Sequence, residues 1–373
     1  MRNRALRPVL SPSVIQPPGF GEALPFFAAE TDGIARYSID VAAGRWIVLA
    51  PFLSLARPGV LAAHQAVLQR AHLFNDADAA FYGLSTDPDD RFQRGLANAP
   101  VGRRYFWDFD QQVAPLFGSE PSVLLVDRGF RIVMAEPIAR MGAVLDRLEA
   151  ELAAEPAADL QPFAPVLVLP RVFEPELCAE LVGLFRAQGA EPSGFAATVE
   201  GRTVTLVDPR FKRRQDVALD DPVLIAALRE RLTLRLLPAV KRAFNWQASE
   251  IERFLLCRYG EDDQGFFSAH RDDATAGTAH RKFAVTINLN VGDYAGGGLR
   301  FPEFGRRVYS PPTGGAAVFC CSLLHEVLPV THGERFCFVP FLYDEDGERI
   351  RRRNLAQVGP NDRVQSNIRR PRA

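Results

Sequence analysis

The chain has 373 residues, of which 47% are hydrophobic and 24% charged, and its formal net charge is −1. These values place it among ordinary soluble globular proteins, and its length predicts two or three domains. The balanced charge argues against nucleic acid or an acidic membrane surface as the main partner.

The sequence shows no sign of membrane insertion or secretion. No apolar run reaches the ~18–20 residues that a bilayer span requires, and no hydrophobic segment follows the basic N-terminus. The five cysteines lie in apolar stretches without Cys-x-x-Cys spacing: Cys178, Cys257, Cys320, Cys321 and Cys337. This pattern predicts buried free thiols in a reducing cytoplasm. Nothing in the sequence indicates an oligomeric state.

The first domain is expected at residues 23–154, after an irregular arm at 1–22 that is rich in proline. Continuous apolar runs predict buried strands at 45–52, 79–84 and 122–127, and amphipathic patterns predict helices at 60–73 and 138–152. Strands separated by helices favour an α/β sandwich.

The order of these elements resembles the thioredoxin fold of the peroxiredoxin (redoxin) family. The resemblance rests on Thr31 to Gly33, the strand that ends at Phe52, the Arg57-Pro58-Gly59 turn and residues 121–127. In that family the peroxide-attacking cysteine directly follows the Pro-Gly turn, where this chain has Val60. Because the thiolate is the nucleophile in that chemistry, we expect no peroxidase activity. A docking, substrate-recognition or dimerisation role remains by elimination.

A second domain is predicted at residues 166–346, after a proline- and alanine-rich linker at 155–165. It begins with a short strand and two helices, the second starting at Pro222 and kinked near Pro238. Short strands separated by turn residues follow. Helices followed by a run of strands favour a double-stranded β-helix (jelly-roll) with supporting helices.

Three residues of this domain form a candidate metal site. His270 and Asp272 follow an apolar run, and His325 follows a predicted core strand at 316–320. Positions two apart on a strand share a face, so His270 and Asp272 are expected to converge. Two histidines and one carboxylate on one face of a metal leave three positions open, as in non-heme iron(II) oxygenases.

With the motifs around them, these residues resemble the iron(II)/2-oxoglutarate-dependent dioxygenases, most closely the prolyl 4-hydroxylase-like branch. The matching segments are Arg258-Tyr259-Gly260, His270-x-Asp272, Gly297-Gly298-x-x-Phe301-Pro302, Pro312-x-Gly314 and the run from His325 through Gly333-x-Arg335. The resemblance implies that His270, Asp272 and His325 bind Fe(2+). It also implies that Arg335 binds the distal carboxylate of 2-oxoglutarate, for which a guanidinium fork is well suited.

The implied reaction is hydroxylation of a C–H bond with O2, giving succinate and CO2, with ascorbate as a candidate accessory reductant. The substrate stays open between a prolyl or other side chain of a protein or peptide and a small molecule. Tyr259 and Asn288 are further candidates for the 2-oxoglutarate pocket. Relatives often carry tyrosine at the position of Asn288 and a hydroxyl residue at that of Cys337, so this pocket departs from the family pattern.

The remaining histidines and nearby cations allow plainer interpretations. His332 lies in a predicted turn and is expected at the surface. His280 could meet substrate, although the polarity of its loop explains it equally well. His64 and His72 are expected on helix faces. Arg281, Lys282 and Arg300 are alternative carboxylate partners, or solvated strand residues.

Two rival functions come from other classes. A jelly-roll metalloenzyme without oxygen chemistry is disfavoured by Arg335, and a non-catalytic assembly or sensor protein is disfavoured by the complete His-Asp-His set. The arginine-rich tail at 347–373 is expected to be solvated and partly disordered, with an anion-binding arm as the alternative.

Overall fold

The computed structural model describes residues 17–92, 96, 99–154 and 162–359. It forms two compact units, Met1–Leu160 and Gln161–Ala373. Most of the predicted arm, most of the predicted linker and the tail from residue 360 lie outside the described residues. Within the described part of the chain, no helix has both the length and the apolar character needed to cross a bilayer.

The first unit is a mixed sheet with two α-helices among its described residues. Its elements are β1 (Ala28–Thr31), β2 (Ile34–Ser38), β3 (Trp46–Leu53), α1 (Val60–Gln69), β4 (Ala79–Ser85), β5 (Arg103–Trp107), β6 (Ser122–Val126), β7 (Ile132–Pro137) and α2 (Met141–Ala153). The strand order is β2-β1-β5-β4-β3-β6-β7. The central strands β3, β4 and β5 are parallel, whereas β6 and β7 are antiparallel. Parallel strands are buried on both faces, which explains why β3 and β4 are almost entirely apolar.

The turn before α1 carries a buried valine at the position where the resemblance would place a cysteine. Gly59 adopts a left-handed conformation (φ 78°) and caps α1, so that Val60 begins the helix and is buried. The helix ends at Gln69 rather than at the predicted residue 73, and a separate 3-10 turn follows at Ala71–Leu73. This turn region therefore carries a packed aliphatic side chain.

The second unit contains most of the strands. Its elements are β8 (Leu167–Leu169), α3 (Pro175–Ala187), β9 (Glu191–Pro192), β10 (Phe195–Val199), β11 (Arg202–Leu206), β12 (Lys212–Arg213), β13 (Gln215–Ala218), α4 (Pro222–Arg231), a π-helical turn (Leu232–Leu236), α5 (Leu237–Phe244), β14 (Glu250–Glu252), β15 (Leu255–Gly260), β16 (Phe266–His270), β17 (Phe283–Asn288), β18 (Tyr294–Gly296), β19 (Leu299–Arg300), β20 (Val308–Tyr309), β21 (Ala316–Cys320), β22 (His325–Val327), β23 (Val330–Phe338), β24 (Phe341–Tyr343) and α6 (Glu345–Asn354).

Two antiparallel sheets make the body of this unit, as a jelly-roll requires. The smaller sheet has the order β12-β16-β22-β19-β20. The larger sheet runs β14-β24-β17-β23-β15-β13-β9, with β8, β18 and β21 attached, and β10 and β11 form a separate hairpin. One apolar cluster contains residues of both sheets, including Phe267 and Val327 of the smaller and Tyr259 and Phe319 of the larger. The interior between the sheets is therefore a shared core.

Strand β23 shows how the larger sheet separates its two faces. Phe336 and Phe338 pack in the cluster formed with the helices α3, α4 and α5. Cys337 belongs to the interior cluster instead, and Arg335 shares its face because side chains alternate along a strand. The same nine-residue strand thus supports the fold on one side and the site on the other.

Two features of the second unit differ from the simplest expectation. The tail predicted from residue 347 begins within helix α6, which runs to Asn354 and has the Asp344 side chain accepting a hydrogen bond from the Gly347 amide at its start. Of the five free cysteines, Cys320 is only half-buried, since it ends β21, and its thiol lies 3.0 Å from the Ser322 hydroxyl. The other four are buried.

Candidate metal centre

The three predicted metal ligands meet where β16 and β22 pair. His270 ends β16 and lies directly opposite His325, which begins β22. Asp272 follows in the next turn, where its backbone amide donates to the Cys321 carbonyl at 2.9 Å. The Asp272 carboxylate lies 3.6 Å from His270 Nε2 and 3.3 Å from His325 Nε2. One donor atom from each residue falls within 4.8 Å of the others.

Both histidines are oriented by main-chain carbonyl groups two residues earlier in the chain. His270 Nδ1 lies 2.8 Å from the carbonyl oxygen of Ser268, and His325 Nδ1 lies 3.0 Å from that of Leu323. A carbonyl oxygen can only accept, so each Nδ1 donates and each Nε2 keeps its lone pair. Nε2 is the nitrogen that faces Asp272 in both cases. Main-chain contacts of this kind fix the tautomer that a metal requires.

The protonation states of His325 and Asp272 also suit metal binding. Burial, together with the neighbouring His270, lowers the pKa of His325 to about 4. Burial alone would raise the pKa of Asp272, but His325 and His270 hold it below its usual range. A neutral imidazole and an ionised carboxylate are the forms that bind a divalent cation. The donor set therefore fits an octahedral metal with open positions, as iron(II) in this arrangement has.

An ion pair braces the two ligand segments against each other. Arg271, between the first two ligands, donates to Glu303 at 2.8 Å, and both side chains are largely buried. The second oxygen of Glu303 accepts from the Leu324 amide at 3.0 Å, next to His325. Glu303 directly follows Phe301-Pro302, so this motif delivers the carboxylate that links the segments.

Aromatic rings enclose both imidazoles. The ring of Phe267 is stacked on His270 with centres 3.5 Å apart. The ring of Phe319 lies edge-on to His325 at 4.6 Å. Apolar walls exclude water and strengthen the electrostatic interactions of the ligands.

Arg335 is a buried cation without a carboxylate partner among the described residues. Its side chain donates to Asn288 Oδ1 from Nη2 at 3.0 Å and from Nε at 3.3 Å, and to Thr286 Oγ1 at 3.3 Å. Its Nη1 is buried and has no hydrogen-bond partner. The hydroxyl of Tyr294 is also buried and meets no hydrogen-bond partner at good geometry, but a hydrogen bond to it helps to raise the pKa of Arg335, so the two groups lie side by side. Buried polar groups normally have partners, so both atoms fit a bound anion.

The glycine motif makes room for this arginine. Gly297 has φ 65°, and a β-carbon there would lie 2.9 Å from Arg335 Cδ and 2.9 Å from Val330 Cγ2. A larger residue would displace the guanidinium or the strand that carries it. This explains the Gly297-Gly298 pair physically.

Tyr259 and Asn288, the further candidates for the 2-oxoglutarate pocket, both lie beside Arg335. Tyr259 is the cross-strand partner of Arg335, whose guanidinium carbon lies 5.4 Å from the ring centre. Asn288 is opposite Cys337 and orients Arg335 through its carbonyl oxygen, while its amide donates to Pro311. A hydrogen bond with Cys257 and the charge of Arg335 lower the pKa of Cys337 to about 6.

The other predicted histidines lie outside the metal centre. His280 is buried and lies 2.6 Å from Glu252, which also pairs with Arg281 at 2.7 Å, so neither residue is solvated as loop or strand polarity suggested. His332 is exposed as expected, but it lies within β23 rather than in a turn. His64 lies 3.1 Å from the Tyr105 hydroxyl. Arg300 pairs with Glu326 across two strands, at 2.6 Å.

Sequence reasoning missed four residues that contact the site: Thr286, Tyr294, Glu303 and Lys212, whose ammonium lies 4.5 Å from the Phe267 ring centre. Glu303 had a signal, since it adjoins the Phe301-Pro302 motif. Thr286 lies two residues from Asn288 on β17 and shares its face.

Comparison with known proteins finds sequence similarity in the second unit. Residues 254–343 match the family model of the 2OG-Fe(II) oxygenase superfamily. This part of the chain is an oxygenase domain. The multifunctional procollagen lysine hydroxylase and glycosyltransferase LH3 of Rattus norvegicus is 37% identical over 89 residues, which make up 23% of this chain. The matched segment spans 11% of the rat protein.

Two solved structures have similar chains. The crystal structure of a Pseudomonas putida prolyl-4-hydroxylase aligns with 54% of this chain and 99% of its own, at 18% identity and a TM-score of 0.36. The crystal structure of the peroxidoxin BcpB from Mycobacterium tuberculosis aligns with 38% of this chain and 99% of its own, at 18% identity and a TM-score of 0.33.

Proposed function

We propose that the protein is an iron(II)- and 2-oxoglutarate-dependent oxygenase that hydroxylates a C–H bond. The observation that carries the proposal is the joint presence of the His-Asp-His donor set and a buried arginine with a free Nη1. A metalloenzyme without an organic-acid co-substrate would have no use for such an arginine inside its barrel.

In this proposal His270, Asp272 and His325 hold iron(II). The bound metal would supply dioxygen activation and the oxidative decarboxylation of 2-oxoglutarate to succinate and CO2. The His270 and His325 side chains keep Nε2 available through their Nδ1 hydrogen bonds. Phe267 and Phe319 keep water away from the imidazoles.

Arg335 and Tyr294 would bind the distal carboxylate of 2-oxoglutarate. The free Nη1 and the free hydroxyl supply two donors, and Asn288 and Thr286 hold the guanidinium in place. Tyr259, whose ring packs beside the guanidinium, would form the wall of the pocket. Hydrogen bonds to a charged acceptor in a buried site are among the stronger ones.

The substrate is proposed to be a side chain of a protein or peptide, or a small molecule. The rat relative is named for hydroxylation of procollagen lysine, which supports a peptidyl substrate without choosing the residue. Ascorbate would act as an accessory reductant. The five unpaired cysteines are in keeping with a cytoplasmic location.

For the first unit we propose a thioredoxin-like fold with a docking, recognition or dimerisation role. Val60 offers no nucleophile, and a β-carbon on Gly83 would lie 2.5 Å from Tyr105 and 2.8 Å from Phe52, so aromatic rings fill the space above the sheet there. Peroxide consumption by the purified protein should not exceed that of buffer. Fast consumption would overturn this assignment.

The test of the oxygenase is succinate formation with iron(II), 2-oxoglutarate, ascorbate and oxygen, without added substrate. Slow uncoupled turnover is expected in the wild type and should be lost in His270→Ala and Arg335→Ala. His332→Ala is the matched control, because this histidine is exposed and its ion-pair partner is the exposed Glu261. A parallel titration follows the metal-to-ligand absorption band of the anaerobic iron(II) protein with 2-oxoglutarate. Absence of both the succinate and the band would reject the proposal.

A further inference from the structure

A second group of buried cations lines the interior wall that joins the two sheets. Lys212 lies on β12, which pairs with β16 of the smaller sheet, and the chain then crosses to the larger sheet at β13. The Lys212 side chain is buried, and Nζ donates to Ser193 Oγ at 2.7 Å and to the Gly194 carbonyl at 2.6 Å. Among the described residues it forms no ion pair with a carboxylate.

A single carboxylate, that of Asp216, lies among these cationic side chains. Asp216 pairs with Arg214 at 2.7 Å and is the nearest acid to Arg253, at 3.9 Å. Arg253 has a positive φ of 65°, a conformation that costs free energy in a residue other than glycine. Lys212 is linked to Asp216 through Ser193, whose hydroxyl accepts from Lys212 Nζ and donates to the carboxylate. Three cationic side chains therefore surround a single carboxylate, and the wall carries excess positive charge. Charges removed from water are normally paired.

The wall is adjacent to the metal centre. Lys212 Nζ lies 4.5 Å from the ring centre of Phe267, and that ring is stacked on His270 at 3.5 Å. Arg214 reaches the other side of the site, since its guanidinium carbon lies 5.9 Å from the ring centre of Tyr259, which also packs on Arg335.

We propose that Lys212, assisted by Arg214, binds a carboxylate group of the substrate beside the metal centre. The inference rests on the proposed oxygenase function and narrows its substrate to an anionic class. The carboxylate could be the free carboxyl end of a peptide or amino acid, or an acidic side chain. Either source presents the same oxygen acceptors to an ammonium group.

The electrostatics of the wall support the assignment. Burial and the charges of Arg214 and Arg253 lower the pKa of Lys212 well below its usual value, against the opposing effect of Asp216. A bound carboxylate would reverse this, because a neighbouring anion favours the charged amine. The competing role is structural: Lys212 would only tie Ser193 and Gly194, at the base of the β10–β11 hairpin, to the wall.

The composition of the chain makes the test direct. Lysine occurs at three positions, 212, 241 and 282. Protein with lysine labelled with carbon-13 at Cε therefore gives three side-chain signals, assigned by Lys241→Arg and Lys282→Arg. Zinc(II) replaces iron, and saturating 2-oxoglutarate occupies the Arg335 pocket before any probe is added. The anaerobic iron(II) absorption band, recorded separately, reports whether the proposed function itself holds.

Three probes are titrated in turn. N-acetylglycine carries a terminal carboxylate, the α-amide of N-acetylaspartic acid carries a side-chain carboxylate, and N-acetylglycinamide is the neutral control. We expect one or both carboxylates, but not the amide, to move the Lys212 signal saturably. Which carboxylate binds more tightly identifies its source.

Two results would overturn the proposal while leaving the oxygenase intact. One is a Lys212 signal that neither carboxylate moves although the absorption band forms normally. The other is a shift caused by 2-oxoglutarate alone, with no further change on adding probes, which would assign Lys212 to the co-substrate.

Carboxylate binding is compared in two variants at adjacent positions, Lys212→Met and Arg213→Met. Lys212→Met removes the ammonium but keeps the chain length, and should weaken binding of the effective carboxylate about tenfold or more. Arg213→Met changes the adjacent cation, whose guanidinium packs on Phe266 and donates to the Pro209 and Asp263 carbonyls. It should leave carboxylate binding unchanged. Equal weakening in both variants would contradict a specific contact.

Discussion

Tyr294→Phe should weaken 2-oxoglutarate binding without weakening the fold. The substitution removes one buried hydroxyl, which interacts with Arg335 but has no hydrogen-bond partner at good geometry in the described part of the protein. An unsatisfied buried hydroxyl costs free energy. We therefore expect the stability of the variant to equal that of the wild type or to exceed it by up to about 1 kcal/mol.

The affinity of the same variant for 2-oxoglutarate should fall. A hydrogen bond to a charged acceptor contributes about 1.5–3 kcal/mol, so its loss should raise the Kd for 2-oxoglutarate by about 10- to 100-fold. Affinity is measured by titrating the anaerobic iron(II) protein and following the metal-to-ligand band. Stability is measured by denaturant unfolding of the same preparations.

Tyr309→Phe is the control, because the opposite effects on stability and on 2-oxoglutarate binding are expected. The Tyr309 hydroxyl accepts a hydrogen bond from the Ala164 amide at 2.8 Å, so its removal should destabilise the protein by about 1 kcal/mol and leave 2-oxoglutarate binding unchanged. If Tyr294→Phe lowered stability but left the Kd unchanged, the hydroxyl would have a structural partner. The assignment of a carboxylate subsite between Tyr294 and Arg335 would then fail.

Three further changes test other features. Asn288→Asp places a carboxylate within about 3.0 Å of Arg335. This carboxylate should compete with 2-oxoglutarate for the guanidinium and raise the Kd for 2-oxoglutarate about tenfold or more. An unchanged Kd would show that Arg335 is not part of the pocket. Burial and the nearby Arg103 lower the pKa of His64 to about 4, below the unfolded value of about 6.5. Protonation therefore favours unfolding, and stability of the first unit should fall between pH 6.5 and 4, by up to about 3 kcal/mol, less so in His64→Gln; equal pH profiles would refute this. Gly83→Ala should destabilise the same unit by about 1–3 kcal/mol in denaturant unfolding, since the ring of Tyr105 must move; wild-type stability would show that the ring yields freely.

The sequence predicted that His270, Asp272 and His325 lie together, as they do in the structure, because its signals are local or strongly ordered. His270 and Asp272 are two residues apart, and the strand before His325 is plainly apolar. The proposed role of Arg335 came from a resemblance, whereas its partners depend on cross-strand registers that no local pattern reveals. Tyr294 illustrates this limit, because β18 reaches Arg335 only by pairing with β23 near Gly333.

The fold was predicted more closely in its buried strands than in its short or polar elements. Strand β3 and helix α2 stand out as an apolar run and a regular stripe. The edge strand β2 and its neighbour β1 mix polar and apolar residues, so periodicity alone did not identify them. Helix α6 was missed because its composition is strongly charged, and pairs such as Glu348 with Arg352 support it instead of an apolar face.

The main-chain bonds of the two imidazoles reduce the dependence of their orientation on the side chains around them. Each ring takes its orientation from a carbonyl two positions earlier in the chain, that of Ser268 within β16 and that of Leu323 just before β22, and a backbone atom cannot be deleted by substitution. Side chains on the facing strands can therefore change while the donor geometry persists. Asn288 on β17 and Cys337 on β23 make neither of these bonds. A diversified library restricted to the facing wall should accordingly retain metal affinity in most members while altering which molecules they accept.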